Sequence, residues 1–245
     1  MRKFIFSLSV LALSLSVSAQ FVSIPTQKVD LNKISLEDIT FGFKIIPSIS
    51  WVAIDHNDAQ ADGATLKLGL GATAEYEVNK IISIISGVNY NTTGGYMYDS
   101  LSLNTSTNKD NYKVSYSLIE VPLGIKLRTP EVNRFSYYLN GGFNAGFILS
   151  ATEKHKSTVT GVNDSKYDIL KLSSASMLGY FASVGTTYKI IKKIRLFGEI
   201  TYKNALTSIA NGNEYTTVLT PIDHKYTSPI YIYPGSMEFA IGIQF

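Results

Sequence analysis

Residues 66–78 read Leu66-Lys67-Leu68-Gly69-Leu70-Gly71-Ala72-Thr73-Ala74-Glu75-Tyr76-Glu77-Val78. Every even position is apolar or aromatic and every odd one is Gly or polar, the period of two that a β-strand imposes on its two faces. The same rule governs Phe135, Tyr137, Leu139, Gly141, Phe143, Ala145, Phe147 and Leu149 against Ser136, Tyr138, Asn140, Gly142, Asn144 and Gly146. It returns at the end of the chain, where Tyr231, Tyr233, Gly235, Met237, Phe239, Ile241, Ile243 and Phe245 alternate with Ile232, Pro234, Ser236, Glu238, Ala240, Gly242 and Gln244.

Extending that scan outward predicts strands near 40–54, 65–78, 81–92, 111–127, 134–150, 175–189, 193–204 and 230–245, and no long amphipathic helix. The fourth strand changes phase. Tyr112, Val114, Tyr116 and Leu118 are apolar at even numbers, then Ile119, Val121, Leu123, Ile125 and Leu127 at odd ones. A bulge near Leu118–Ile119 would restore one continuous apolar face, and Pro122 suits an irregular ladder beside it.

The links sort by length. Asn79-Lys80, 129–133 and 190–192 are short, whereas those near 55–64, 93–110, 151–174 and 205–229 are long and polar. Antiparallel strands joined in this way put every short turn at one end and every long loop at the other, the asymmetry of bacterial outer-membrane barrels. The expected fold is therefore all-β, an eight-stranded antiparallel transmembrane up-and-down β-barrel.

Alternation alone does not say which face is buried, since a soluble lipocalin-like carrier turns its apolar face inward. The placing of aromatic residues separates the two cases. Phe41, Tyr76, Phe135 and Tyr188 fall near one rim with Phe245, and Trp51, Tyr90, Tyr180, Tyr202, Tyr231 and Tyr233 near the other with Phe147. Aliphatic residues such as Ile45, Leu70, Ile84, Val184 and Leu196 lie between them, so two aromatic girdles flank an apolar band facing lipid. The opposite face carries Lys44, Lys67, Glu75, Glu77, Glu120, Lys126, Arg195, Glu199, Lys203 and Glu238. Eight strands enclose little more than their own side chains, so these charges are expected to pair as a plug, neither lining a pore nor serving acid–base catalysis.

Composition agrees. The chain has 245 residues, 16 Tyr, 12 Phe and 18 Gly, with only 17% charged residues and 7 Pro. Zero Cys excludes disulfides, thiolate metal sites and a Cys nucleophile. Arg2-Lys3, an apolar run to Val17 and Val17-Ser18-Ala19 read as a secretory signal over 1–19, followed by a periplasmic segment 20–39 and the barrel 40–245. Removing Arg2 and Lys3 from 22 basic residues leaves 20 against 19 acidic, which excludes nucleic-acid binding by bulk charge. Beyond the signal no apolar stretch is long enough for a spanning helix.

Several segments resemble the PorT-like outer-membrane β-barrel family, related in architecture to the small OmpX and OmpA barrels. They are Ser86-Gly87-Val88-Asn89-Tyr90-Asn91 before Gly94-Gly95-Tyr96, Leu118-Ile119-Glu120-Val121-Pro122-Leu123-Gly124-Ile125-Lys126, residues 138–147, residues 195–202 with Ala205-Leu206, and the final strand. The likeness spans about residues 40–245. It implies an eight-stranded barrel in the outer membrane and carries over no catalytic residue; one branch of that family serves protein secretion. The ending Phe239, Ile241, Ile243 and Phe245 also resembles the signal read by the barrel-assembly machinery.

Chemistry-bearing motifs are sparse. Gly141-Gly142-Phe143-Asn144-Ala145-Gly146 lacks the Gly-Lys-Ser/Thr ending and the helix of a phosphate loop. His56, His155 and His224 fall in predicted long loops beside acids or hydroxyls. A surface protease or lipid A deacylase would use such a His, but no spacing specifies a triad or metal site. The loop at 151–174 holds Lys154, His155, Lys156, Lys166 and Lys171 against Glu153, Asp164 and Asp168, a solvated rim or a binder of glycolipid phosphates or of a partner protein. The expectation is a monomeric, non-enzymatic outer-membrane protein without cofactor, contacting lipid and lipopolysaccharide and acting through its loops.

Overall fold

The computed structural model describes residues 39–56, 59–99, 111–156, 165–191, 193–210 and 230–245. The expected signal and most of the periplasmic segment lie outside them. The described residues form ten strands: β1 (Ile39–Asp55), β2 (Ala59–Gly63), β3 (Thr65–Glu77), β4 (Ile82–Asp99), β5 (Asn111–Arg128), β6 (Phe135–Lys156), β7 (Ser165–Asp168), β8 (Ser176–Ile191), β9 (Ile194–Ala205) and β10 (Tyr231–Gln244). Eight form a closed antiparallel ring in the order β1-β3-β4-β5-β6-β8-β9-β10, and β1 pairs with β10 to complete it. β2 adds to the far end of β4 and β7 to the far end of β6.

The eight ring strands match the sequence reading, while β2 and β7 lie within predicted loops. β4 runs to Asp99 and β6 to Lys156, past the expected ends at 92 and 150. Sequence periodicity missed these extensions because their outward face is polar and their alternation no longer follows that of a lipid-facing strand. His155 therefore lies on β6 opposite Tyr112 and not in a loop. His224, also expected in a long loop, lies outside the described residues.

Side-chain direction decides the environment. Ile45, Leu70, Leu123, Ile125, Leu139 and Ile241 all face outward, with Ile241 70% exposed, while Glu75, Glu120, Lys126 and Glu238 face inward and are at most 5% exposed. A continuous apolar exterior around a charged interior is untenable in water and is what a hydrocarbon solvent requires. The lipocalin-like alternative needs the reverse arrangement. No helix among the described residues is long and apolar enough to cross a membrane.

The phase change in β5 has a different cause from the one expected. β5 alternates without interruption: Val114, Tyr116, Leu118, Glu120 and Lys126 all point inward. A ladder irregularity does occur between Ser117 and Leu118, but the additional residue is Leu149 on β6. The apolar side of the wall therefore changes from outside to inside as β5 leaves the membrane. Lipid surrounds the lower half and demands apolar residues there; water surrounds the upper half, so the greasy residues turn into the barrel. Pro122, which has no N–H to give, coincides with a gap in the β4–β5 ladder between Leu123↔Ser86 and Glu120↔Asn89.

Aromatic residues mark the edges of the band. Trp51 lies across Gly235, its ring centroid 6.2 Å from that of Tyr202, and Tyr202 lies 6.3 Å from Tyr180, a row across β1, β10, β9 and β8. At the short-turn end Phe135 and Tyr188 are 4.8 Å apart and Phe43 and Phe245 6.0 Å apart. Tyr76, Tyr90, Phe41, Tyr231 and Tyr233 also stand on outward positions of their strands. Replacing Ile125 by Lys would put a charge on this face; loss of about 2–4 kcal/mol is expected on urea titration of protein folded into phosphatidylcholine vesicles. An unchanged midpoint would mean that this face is not in lipid.

Candidate functional site

Strand parity brings charges together inside the ring: odd positions of β3 and β9 and even positions of β1, β5 and β10 all point inward. Five cations, Lys44, Lys126, Arg128, Arg195 and Lys203, meet five carboxylates, Glu75, Glu77, Glu120, Glu199 and Glu238. Midway along the lumen Lys203 bridges Glu120 and Glu238, the latter at 3.0 Å. Asn144 Nδ2 donates to Glu120 Oε1 at 2.9 Å, and Asn91 Nδ2 donates to both carboxylates. Nearer the short turns Glu75 accepts from Lys126 at 2.7 Å, from Arg128, and from Gln244 Nε2 at 3.3 Å. Arg128 also reaches Glu77 at 2.9 Å, and Arg195 approaches the same carboxylate at 3.6 Å. Glu199 accepts from Asn140 Nδ2 at 2.7 Å with Lys44 3.8 Å away.

Aromatic side chains fill what the charges leave. Tyr138, Phe181 and Phe197 point inward over glycines: a Cβ on Gly185 would collide with Tyr138, one on Gly242 with Phe197 and one on Gly124 with Phe181. Lys126 Nζ sits 4.0 Å above the Tyr138 ring. A cavity of about 60 Å³ lined by Thr73, Asn89, Asn140 and Glu199 remains, with another of about 20 Å³ beside Asn91 and Asn144. These spaces suit a few waters and no solute.

Among the expected lumen charges, Lys67 stands apart. Its Nζ donates to Ser115 Oγ near the long-loop end, away from the ion pairs. Arg128, Asn91 and Asn144 join the cluster although the sequence reading did not include them. Arg128 ends β5 next to a turn, where a charge reads as rim, and amides carry no sign to pair by eye. Gly141–Gly146 lie within β6, opposite β5 and β8, which disposes of the phosphate-loop reading. Among the described residues no group of three His, Asp or Glu could hold a metal.

A family model for the outer membrane protein beta-barrel domain matches residues 19–211. The chain belongs to this family. It is an outer-membrane β-barrel protein, and the aromatic-bounded exterior is the surface by which this member sits in its membrane. Similar solved structures include Neisserial surface protein A (12% identity, TM-score 0.40, covering 83% of this chain and 95% of that chain). Ail of Yersinia pestis shares 14% identity with TM-score 0.38, covering 84% and 98% of the two chains. OprG of Pseudomonas aeruginosa shares 13% with TM-score 0.40, covering 83% and 96%. No curated protein matches the sequence.

Above the charged lumen lies an apolar lid built from inward-facing Val52, Met97, Val114, Tyr116, Leu118, Ile169, Ile230 and Ile232. Glu153 faces into it, six residues past Phe147 and outside the hydrocarbon. It is 2% exposed, pairs in register with Val114 and Tyr167, and its Oε2 has no hydrogen-bond partner among the described residues. Burial pushes this carboxyl from its ordinary value near 4.5 up to about 8.

Two outcomes follow from these geometries. Lys203→Met leaves Glu120 and Glu238 buried without their cation and should cost about 3–5 kcal/mol, while adding Glu120→Gln and Glu238→Gln should recover much of it; equal urea midpoints for single and triple variants would contradict the pairing. For Glu153 the folded state holds a proton that the unfolded chain has released between pH 4.5 and about 8, so stability falls as pH rises through that window. Glu153→Gln should abolish that part of the slope and be more stable than the wild type at pH 9, read from midpoints at pH 5, 7 and 9.

Proposed function

We propose that the protein is a non-conducting, non-enzymatic outer-membrane barrel whose work is done at its extracellular end, as a structural or interaction protein of the cell envelope. What carries this reading is the double closure of the interior: five ion-paired cations and carboxylates across the membrane, then an apolar lid above them. Such an interior favours shape over transport. Meanwhile β4, β5 and β6 continue past the girdle, joined by β2 and β7, and raise a wall of sheet above the membrane. The PorT-like resemblance adds an accessory part in protein secretion as one form this role could take. Lipopolysaccharide around the wall, the assembly machinery at Phe239, Ile241, Ile243 and Phe245, and a loop ligand are the partners this reading gives the chain, as a monomer.

The test has two arms. Purified protein in planar bilayers should show no stepwise conductance. A variant with residues 100–110, 157–164 and 211–229 replaced by short Gly-Ser turns should still assemble and shift on heating in SDS, yet fail to complement the envelope-permeability or surface-adhesion defect of a deletion strain. Stepwise conductance, or full complementation by the loop-shortened protein, would overturn the reading.

A further inference from the structure

Register places Tyr96 of β4 opposite Lys113 of β5, Lys113 opposite Lys154 of β6, and Lys154 opposite Lys166 of β7. Three lysines thus stand side by side on three adjacent strands. Their neighbours Val114 and Glu153 are buried inside the barrel, so the lysines occupy the outer face of the wall. Lys113 Nζ lies 5.3 Å from the Tyr96 ring centroid. Lys67 joins from below: its ammonium donates to Ser115, two residues from Lys113 on the same face, within electrostatic reach of Lys113 and Lys154. None of Lys113, Lys154 and Lys166 forms an ion pair with a described carboxylate. Asp168, on this face beside Lys166, accepts instead from the Leu170 N–H at 2.9 Å.

Like charges directly opposite on neighbouring strands repel, and three in a row compound the cost. Such a row is sustained when an anion with several negative groups lies across it. Its height narrows the class. Lys154 is seven residues past Phe147, which at about 3.4 Å per residue on a strand tilted about 45° is on the order of 15 Å above the girdle. The phosphate of an ordinary phospholipid lies at the girdle itself. A glycolipid whose sugars carry phosphates brings anions to the height of the lysines while its acyl chains lie on the apolar band below. We propose that Lys113, Lys154 and Lys166, with Lys67 and the Tyr96 ring, bind the phosphate groups of such an outer-leaflet glycolipid. This deepens the envelope role proposed above and rests on it.

The experiment uses the full chain in phosphatidylcholine vesicles carrying phosphorylated lipopolysaccharide, the same glycolipid dephosphorylated, or phosphatidylglycerol, with inorganic phosphate as a soluble competitor. Wild-type protein should bind the phosphorylated glycolipid at least tenfold more tightly than either other lipid. K113Q/K154Q/K166Q should lose that tenfold, K113R/K154R/K166R should keep it, and the Gln variant should be no less stable than the wild type in phosphatidylcholine alone. Lys154→Gln, at an exposed position, provides a milder loss if the triple variant folds poorly. Equal affinity for phosphorylated and dephosphorylated glycolipid, undiminished binding by the Gln variants, or displacement by millimolar inorganic phosphate would overturn the proposal. The loop-shortened protein keeps the row, so it should still bind glycolipid; complementation by that protein would refute the loop-based role and leave the row intact.

Discussion

Within a bilayer a backbone N–H or C=O without a partner has no water to turn to, and each one left open costs several kcal/mol. Everything else in this molecule follows from meeting that demand with strands. The ring closes where Gly42↔Gln244 through Asp55↔Tyr231 join the first strand to the last, and Phe41 and Phe245 exchange backbone hydrogen bonds at 2.8 and 3.1 Å at the very edge. Once closed, each strand shows alternate residues to two different solvents. The exterior can only be apolar, and the interior becomes the place where polar groups are hidden.

Hiding charge in a narrow lumen is expensive unless each charge meets its counterpart, which is why the charges of the interior resolve into ion pairs. Lys203 between Glu120 and Glu238 ties β9 to β5 and β10, and Lys126 with Arg128 ties β5 to β3. Apart from Lys203–Glu238, between the adjacent β9 and β10, these pairs link strands that are not neighbours in the ladder. Above the membrane the same walls are reused with opposite polarity: Val114, Tyr116 and Ile232 turn inward while half-buried Lys113 and exposed Lys154 and Lys166 take the outer face. A single chain therefore carries an inside-out protein below and an ordinary one above.

Much of this could be read from residues alone. The alternation of 66–78 and 135–149, the short links at Asn79-Lys80 and 190–192, and the aromatic edges gave the ring and its orientation, because hydrophobic period and turn length act locally. The upper wall could not be read in the same way. In β5 the change from even to odd apolar positions looked like a register slip, whereas it records a change of surroundings, and only the three-dimensional position of the membrane surface distinguishes the two. Likewise Lys67 and Lys203 both sit at inward parity on strands of the same ring, yet one reaches Ser115 near the wall and the other two carboxylates in the lumen. That difference depends on how the upper part of β4 and β5 packs, which no single strand encodes. The row of Lys113, Lys154 and Lys166 depends on the extra residue Leu149 in β6, which brings Lys154 opposite Lys113, and on β7 pairing beside β6.

The chain's single tryptophan can report whether the apolar exterior is embedded in lipid with its long-loop edge at Trp51. Fluorescence of the intact protein in vesicles of lipids brominated at defined depths would locate that ring. An embedded ring is expected to show strong quenching that is greatest for bromine near the ester end of the acyl chain and weak for bromine near the chain terminus, with little quenching by aqueous iodide. Full quenching by iodide with none from any brominated lipid would mean that the apolar exterior does not lie in lipid.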